Sequence, residues 1–549
     1  MKRIALICCV LLCSVGMLTA QDAPAVPAAS TIPCVTASVS SAGALMKEAA
    51  AIGNAIMPGI GQMMVMKLPM MLGTPTMAGV AQDRPVFVVM GLSAAMAPVT
   101  AVFVPVTDFN AFKGGLMPNQ HLVEQAGDYA FMLLATGAPA ADADVQAART
   151  WKPAAADGHL ISIRLALAPV RPMALMGLEQ MKALHAMVAG MGQAQMAGDP
   201  TALIAAYAEG AKLVVEQGES IALTIDAAAD SLKCAFIVTP SAGSRLQTLM
   251  AAPGIDTAGI EALVPENAHQ FVFSGVVGGP MFQAMMDAIL PASVTAQGFD
   301  QATAAAVLAE NQALMQAMTP CRYTFFGDVT PGVGGLHFGG VYLLEKGRAA
   351  GVLASYGKLF ALMQKALAMA LFNPPVYKAD ARKLGDLTVG RIEMVINEKN
   401  PQFAAVAPQL KAFGFDRFAV EFTAVGDTIA AASAGDLEAV VAMVKAGIKP
   451  AAKPAPAGFL MGGSANLLAL LKTVLPALGA NDVPPAVLAA LNAVDPVGTA
   501  LAFVATVNGN LVAETRIPRT LFARIGKIVM KANAPAAGPK AGPPAGAQF

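Results

Sequence analysis

Histidine and acidic side chains, the usual agents of acid–base and metal chemistry, give this chain no recognisable catalytic motif. It has five histidines: His121, His159, His185, His269 and His337. None belongs to an HExxH motif or to another spacing that holds zinc. The nearest acidic neighbours in sequence are Asp157 for His159 and Glu266 for His269. A catalytic site needs groups that converge in space, so this proximity predicts no catalytic or metal-binding residue.

Cysteine provides nucleophiles, metal ligands and disulfides. Three of the six cysteines lie close to the N-terminus, before Ala20, and the other three are far apart: Cys34, Cys234 and Cys321. Three cysteines allow one disulfide with one free thiol, or three buried thiols, and their spacing forms no metal motif. Arg322 beside Cys321 would favour a thiolate. Packing in the core is nevertheless the favoured interpretation of all three.

Two glycine pairs open similar stretches, GGPMFQAMMDAILPA at 278–292 and GGSANLLALLKTVLPA at 462–477. A glycine loop before a helix can bind phosphate through backbone N–H groups. Pro280 removes one such donor, and no Lys, Arg or Thr lies beside either pair. We therefore expect no cofactor here. Both pairs are interpreted as tight turns from a strand into a helix, with Ser464 as the N-cap of the later helix.

Methionine is enriched, with 32 in the chain. One cluster is QMMVMKLPMML at 62–72, and a second stretch has helical spacing: Met176, Gln180, Leu184, Met187 and Met191. Thioethers bind Cu(I), and methionine also forms pliable surfaces that accept varied apolar partners. Helical spacing favours a third interpretation, a stripe of side chains packed in the core.

The N-terminal segment up to Ala20 has the organisation of a secretory signal. Lys2 and Arg3 precede an uncharged apolar segment, IALICCVLLCSVGML, and Ala20 supplies the small residue before a cleavage site. The segment is short for a retained membrane anchor, the main alternative. We expect cleavage near Ala20 and a periplasmic or secreted bacterial protein that begins with a Pro/Ala spacer at 21–33.

Charge and hydropathy argue against two further classes of protein. The chain has 36 basic and 36 acidic residues and no basic run, so a nucleic-acid surface is not expected. Residues 86–107 carry no charge and are long enough to span a bilayer. Pro98 and Pro105 interrupt them, however, and valine-rich runs around a turn predict two buried strands. The mature chain is therefore expected to have no transmembrane helix.

Repeated patterns indicate how the chain is organised. A strand, a turn of small residues and an amphipathic helix recur at 34–56, 271–290 and 459–475. Residues 221–240 and 499–518 each predict strand, polar turn, strand and proline, followed by a helix, and Asn508-Gly509 favours a hairpin. Residues 160–169 and 417–425 alternate like half-buried strands, and a long helix is predicted from Arg348.

These patterns predict an α+β fold with two related halves, each with antiparallel sheets and packed amphipathic helices. The halves are expected at 34–255 and 256–530, with a linker at 448–456 and a disordered Ala/Pro/Gly tail at 531–549. Two hairpin–helix stretches, FIVTPSAGSRLQTL and ETRIPRTLFARI, together with the signal sequence, resemble large uncharacterised secreted proteins of bacteria. That resemblance implies an exported location and a two-part fold, and it carries over no activity and no site residue.

The leading functional hypothesis is a non-enzymatic binding or structural protein of the bacterial envelope. It would contact an apolar ligand, a lipid or a partner protein in a groove formed by a sheet face and amphipathic helices. Two alternatives stay open at this point: a secreted hydrolase whose residues converge from separate loops, and a protein attached to the membrane surface.

Overall fold

The computed structural model describes most of the chain between residues 32 and 532. The described ranges are 32–71, 74–92, 98–116, 122–134, 142–152, 157–188, 201–251, 269–296, 299–330, 335–364, 373–398, 408, 411, 417–433, 435–447, 458–477, 484–495 and 499–532. The predicted signal, linker and nearly all of the predicted tail lie outside these residues, as do His121, Glu266 and Met191.

The described residues form a mixed α+β structure around one large antiparallel sheet. Its strands are β1 (Ile32–Val39), β2 (Val86–Leu92), β3 (Pro98–Pro105), β4 (Val123–Ala126), β5 (Tyr129–Leu134), β6 (Ile161–Ala166), β7 (Gly218–Ala227), β8 (Ser231–Pro240), β9 (Phe271–Val277), β10 (Cys321–Thr330), β11 (Gly335–Leu344), β12 (Val376–Leu384), β13 (Leu387–Val395), β14 (Arg417–Val425), β15 (Thr428–Ser433), β16 (Phe459–Asn466), β17 (Thr499–Val507) and β18 (Asn510–Pro518).

Helices occupy the connections between these strands. They are α1 (Ala42–Ile56), α2 (Ile60–Met71), α3 (Phe109–Gly114), α4 (Asp142–Arg149), α5 (Leu167–Val188), α6 (Thr201–Gln217), α7 (Arg245–Leu249), α8 (Pro280–Ala296), α9 (Gln301–Met318), α10 (Ala349–Met363), α11 (Leu437–Lys445), α12 (Leu467–Ala477), α13 (Pro485–Asn492) and α14 (Arg519–Ala532). No described helix is long and apolar enough to cross a membrane.

The strand pairings place the N-terminal and C-terminal parts side by side in this sheet. The strands up to β8 pair in the order β4-β5-β3-β2-β1-β6-β7-β8. The later strands pair as β18-β17-β16-β9-β10-β11-β15-β14-β13-β12. Strands β8 and β18 pair with each other. The sequence predicts separate antiparallel sheets, whereas the pairing of β8 with β18 produces a single continuous sheet.

Several local predictions are confirmed. Residues 86–107 contain two buried strands, β2 and β3, and residues 417–425 form β14. Asn508 and Gly509 have φ angles of 51° and 78°, which is the left-handed geometry of a tight hairpin turn. The stretch at 160–169 is a strand only to Ala166, where α5 begins directly.

The two glycine pairs have different roles. Gly278 and Gly279 have φ angles of 144° and 84° and form the predicted turn from β9 into α8. The prediction for Gly462 and Gly463 is wrong, because both lie inside β16. A Cβ atom on Gly463 would lie 2.5 Å from the carbonyl oxygen of Val272 on β9, so glycine permits close strand packing there.

The N-cap of α12 also differs from the prediction. Asn466, and not Ser464, accepts a hydrogen bond through Oδ1 from the backbone N–H of Ala469, at 3.0 Å. The strand therefore continues past Ser464 to Asn466 before the helix starts, because the glycines extend the sheet instead of ending it.

The helices on one face of the sheet form two rows at opposite ends of the strands. The first helix row runs α2-α1-α14-α13-α12, each helix in contact with the next. The second helix row runs α5-α6-α7-α8-α9-α10. In the first row, α1, α12 and α14 follow β1, β16 and β18, respectively. In the second row, α5, α8 and α7 follow β6, β9 and β8, respectively. Because β6, β9 and β8 run antiparallel to β1, β16 and β18, the two sets of helices begin at opposite ends of the strands.

Among the described residues, helices cover the other face of the sheet only near its two lateral ends. Trp151, which follows α4, and Ala148 of α4 pack on Phe87 and Phe103 at the N-terminal end. Leu437 and Val440 of α11 pack on the C-terminal end.

Candidate functional site: an apolar strip between two helix rows

Strand β18 shows how the two helix rows leave the middle of the sheet open. Ile517 packs against Leu521 of the first row, and Leu511 packs with Leu246 of the second row. Ile517 and Leu511 are separated by an even number of positions, so their side chains point to the same face. Ala513, between them on that face, is only partly covered. The two rows therefore cover the strand ends and not its centre.

Residues in register with Ala513 continue this opening across the neighbouring strands. We call the set the central strip, and its members are Leu223, Phe236, Ala513, Val504 and Met461 in one line, with Cys234, Thr515, Ala502, Gly463 and Phe273 in the adjacent line. Directly opposed residues of antiparallel strands share a face. The strip therefore runs across six strands, from β7 to β9.

Large apolar side chains of the central strip are exposed. Phe236 is 46% exposed, and Leu223 and Phe273 are each 39% exposed. By contrast, Val238 on β8 and Val277 on β9 lie on the same face but near the strand ends, and they are 5% and 6% exposed under the second helix row. The exposure is thus confined to the gap between the rows.

The central strip also carries no charged residue, whereas the opposite face of the same strands does. Asp226, Lys233, Glu514 and Arg516 all point to that opposite face. The guanidinium of Arg516 lies 5.4 Å from the ring centroid of Phe503 and covers it there. An antiparallel sheet normally packs its apolar face and hydrates its polar face. Here the middle of the apolar face has no cover among the described residues.

The dimensions of the strip suit an elongated ligand. Six strands at a spacing of about 4.8 Å give a length of about 24 Å. This exceeds the half-thickness of a bilayer's hydrocarbon core, about 15 Å, so an extended acyl chain can lie along the strip.

A separate cavity of about 230 Å³ between α8 and α9 is lined partly by Gln283, Asp287 and Gln312. It is smaller than the usual pockets for small molecules, roughly 300–1,000 Å³.

Three histidines form pairs with aspartates that are distant in sequence. His159 lies 2.9 Å through Nδ1 from Asp226, and His269 lies 2.7 Å from Asp328. His337 lies 3.0 Å from Asp436. The sequence neighbour Asp157 accepts the backbone N–H of His159 and does not pair with the ring. The partners were missed because each lies in another element, far from its histidine along the chain.

A His–Asp pair can orient an imidazole for catalysis, as in a serine-type triad. Ser433 lies on β15, the strand that pairs with β11, on which His337 lies, and its hydroxyl accepts the backbone N–H of Phe338 at 2.8 Å. No group of three or more metal-ligating side chains occurs among the described residues. The three pairs hold neighbouring elements of the fold together.

The three thiols are unsuited to nucleophilic chemistry. All are free, with Cys34 and Cys321 buried and Cys234 partly so. Burial raises the pKa of Cys321 to about 12, and the nearby cation of Arg322 offsets this only in part. Burial likewise raises the pKa of Cys34 and of Cys234. A thiol with a raised pKa stays protonated at neutral pH and is a poor nucleophile.

The methionine stripe on α5 is not a core stripe, contrary to prediction. Met176 is 44% exposed and Leu184 is 50% exposed. On α2, four methionines are also exposed: Met63, Met64, Met66 and Met70. Helical spacing grouped the residues of the α5 stripe but could not tell whether their side of the helix meets the core or solvent.

No family model, curated protein or solved structure matches this chain. The geometry of the chain itself therefore carries the functional argument.

Proposed function

We propose that the protein is an exported, non-enzymatic binding protein of the bacterial envelope, and that it holds the acyl chain of a lipid along the central strip. The observation that carries the proposal is an uncharged line of apolar side chains, exposed by 39–46% at Leu223, Phe236 and Phe273, between two walls of helices. Exposed apolar surface flanked by other elements is typical of a binding groove.

The chemical character of the strip favours an acyl chain over a polar ligand. Burying a polar group without a hydrogen-bonding partner costs free energy, and the strip offers only the hydroxyl of Thr515 and the thiol of Cys234 as side-chain donors. Covering exposed phenylalanine and leucine, in contrast, stabilises a complex in proportion to the apolar area removed from water. An elongated hydrocarbon chain matches both the chemistry and the length of the strip.

The proposal includes export, for which the N-terminal segment is the argument. The basic start, the apolar segment and Ala20 would direct the chain through a secretory pathway and leave a mature protein starting at Gln21. A location in the envelope would give the protein access to lipids.

We also propose that the two parts of the chain are related halves. Support comes from residues 221–240 and 499–518, which are equal in length and correspond to the hairpins β7–β8 and β17–β18. Each hairpin ends in proline, Pro240 or Pro518, and is followed by a helix. Strands β8 and β18 pair antiparallel, as they would across a two-fold axis that relates the halves.

The histidine pairs supply further support for repetition. His159 lies just before β6 and pairs with an aspartate on β7, the next strand in the chain. His269 lies just before β9 and pairs with an aspartate on β10, again the next strand. In this proposal the central strip lies across the junction of the two halves, so each half contributes strands to one shared site.

Native mass spectrometry of the protein purified from the periplasm, with extraction of bound lipid, tests the proposed function. We expect an intact mass that corresponds to a start at Gln21, and a co-purifying lipid with at least one long acyl chain. A ligand-free protein that also takes up no long-chain fatty acid when it is added would contradict the binding function. An uncleaved chain would contradict export.

A further inference from the structure

The first helix row concentrates positive charge that the whole chain does not have. Its five helices carry seven basic residues and one acidic residue: Lys47, Lys67, Lys472, Arg519, Arg524, Lys527 and Lys531, with Glu48. The helices of the second row carry five basic and five acidic residues, and the full chain is balanced at 36 of each. The excess of six positive charges is therefore specific to one row.

The single acidic side chain in the first row is already neutralised. Glu48 on α1 pairs with Arg519 on α14 at 2.7 Å, and this ion pair ties the two helices together. Four lysines of the row are exposed: Lys47, Lys67, Lys527 and Lys531. None of them takes part in an ion pair within the described part of the chain. Their charge is thus available to an external partner.

Three basic residues of α14 share one side of the helix. Arg524, Lys527 and Lys531 follow an i, i+3, i+7 spacing, which places them on one side of a helix. Gly526 is buried on the other side, whereas Leu521, one turn before Arg524, is buried next to them. Lys527 and Lys531 are exposed, whereas Arg524 donates a hydrogen bond to the carbonyl oxygen of Asp495, so the two lysines present the free charge of this helix.

Large apolar side chains are exposed on the same row. Met63, Met66 and Met70 share one side of α2 and are 49%, 71% and 55% exposed, with Lys67 on that same side. Leu467 and Leu471, one turn apart on α12, are 39% and 43% exposed, and Met530 on α14 is 40% exposed. Exposed apolar side chains combined with lysine or arginine are a feature of helices that lie in a membrane interface.

We propose that the outward surface of the first helix row docks on an anionic phospholipid bilayer. The lysines would attract the negatively charged headgroups, and the exposed methionines of α2 and leucines of α12 would enter the boundary between headgroups and acyl chains. Charge complementarity with the four exposed lysines favours an anionic surface, and the exposed methionines and leucines beside them favour a bilayer over a purely polar partner. The proposal does not depend on the central strip, although a docked protein would be well placed to exchange lipid.

Vesicle co-sedimentation with the mature full-length protein tests this surface. We expect binding to phosphatidylcholine vesicles that contain about 30% phosphatidylglycerol, because the anionic headgroups attract the lysines, and weak binding to pure phosphatidylcholine. The double variant Lys527→Glu with Lys531→Glu should weaken binding to the anionic vesicles about tenfold or more. The matched control is Lys358→Glu, which reverses an exposed lysine on α10 of the second row and should change binding less than about twofold.

The apolar contribution is tested separately, because charge reversal alone does not address it. Met66→Ser on the exposed side of α2 should lower binding even at high salt, where lysine attraction is screened. Circular dichroism and thermal unfolding of each variant establish that the fold is intact. The proposal would be overturned if the unchanged protein bound no vesicles, or bound neutral and anionic vesicles equally. It would also be overturned if Lys358→Glu lost as much binding as the double variant, or if the protein captured an acidic protein but bound no vesicles.

Discussion

Phe236 offers the most direct test of the central strip, because it is the most exposed large side chain in it. Phenylalanine has roughly 150–250 Å² of surface to bury, so 46% exposure leaves about 90 Å² open. At about 25 cal/mol per Å², covering this area contributes about 2 kcal/mol to binding. Phe236→Ser should therefore weaken the binding of an acyl chain about thirtyfold.

The assay is a titration with a naturally fluorescent long-chain fatty acid, whose emission increases when the fatty acid leaves water and binds the protein. Val507→Ser is the matched control, because Val507 is an apolar strand residue that is 38% exposed but points to the opposite face. It should leave the Kd within about twofold of the unchanged protein, since no ligand covers it. Each variant must also unfold cooperatively, because Phe236 buries part of its ring in the free protein.

Two results would refute the reasoning about the strip. A change of less than about threefold in Kd for a folded Phe236→Ser variant would mean that the ligand does not cover this ring. An equal loss for Val507→Ser would mean that the fatty acid binds exposed apolar residues without regard to the face of the sheet.

Two further predictions concern the stability of the scaffold, measured as the free energy of unfolding in urea. Glu421 is buried and lies 2.8 Å from Arg382, so Glu421→Gln should cost about 3 kcal/mol, whereas Glu438→Gln, on the same arginine but 64% exposed, should cost less than about 1 kcal/mol. Equal losses would show that burial does not decide the strength of this network. A Cβ atom on Gly526 of α14 would collide with the carbonyl oxygen of Ile56 at the end of α1, so Gly526→Ala should cost about 1–3 kcal/mol. Gly210→Ala on α6 meets nothing within 4 Å and should gain up to about 1 kcal/mol, and a similar loss at both glycines would contradict this explanation.

Local patterns in the sequence predicted many of the elements. Strands β2, β3 and β14 were recognisable because alternating or continuous apolar residues bounded by turns reflect the two-residue period of a strand. The hairpin at Asn508 and Gly509 was predictable because these residues tolerate the positive φ angles of a tight turn. Each of these signals depends on a few consecutive residues, and the physical cause lies within the same segment.

The same local signals were misleading where a distant neighbour decided the outcome. Gly463 has the sequence context of a turn, yet it lies in β16, where Val272 from a much earlier part of the chain leaves no room for a side chain. Met176 follows helical spacing like a core residue, but it is 44% exposed on its side of α5. Periodicity shows that a helix has two faces, and only packing determines which of them is covered.

The sequence leads to the hypothesis of an apolar groove but does not identify the residues of the central strip. An apolar groove between a sheet face and amphipathic helices follows from a composition rich in apolar residues and from alternating strands and helices. Leu223 and Phe273 were not recognisable as its members, because they look like other core residues of strands and belong to different parts of the chain. The excess charge of the first helix row was equally hidden, since its lysines are spread from Lys47 to Lys531.

By itself, the sequence determined the α+β character, many strands and turns, and the similar pattern of two hairpin stretches, because these depend on short-range periodicity and turn chemistry. Only the tertiary structure decided that β8 and β18 join both parts into one sheet, that three histidines meet aspartates far away in the sequence, and that two helix rows leave a strip uncovered. Those features arise from pairing and packing between segments that are far apart in the chain, and the energies that select such contacts are not expressed in any single stretch of sequence.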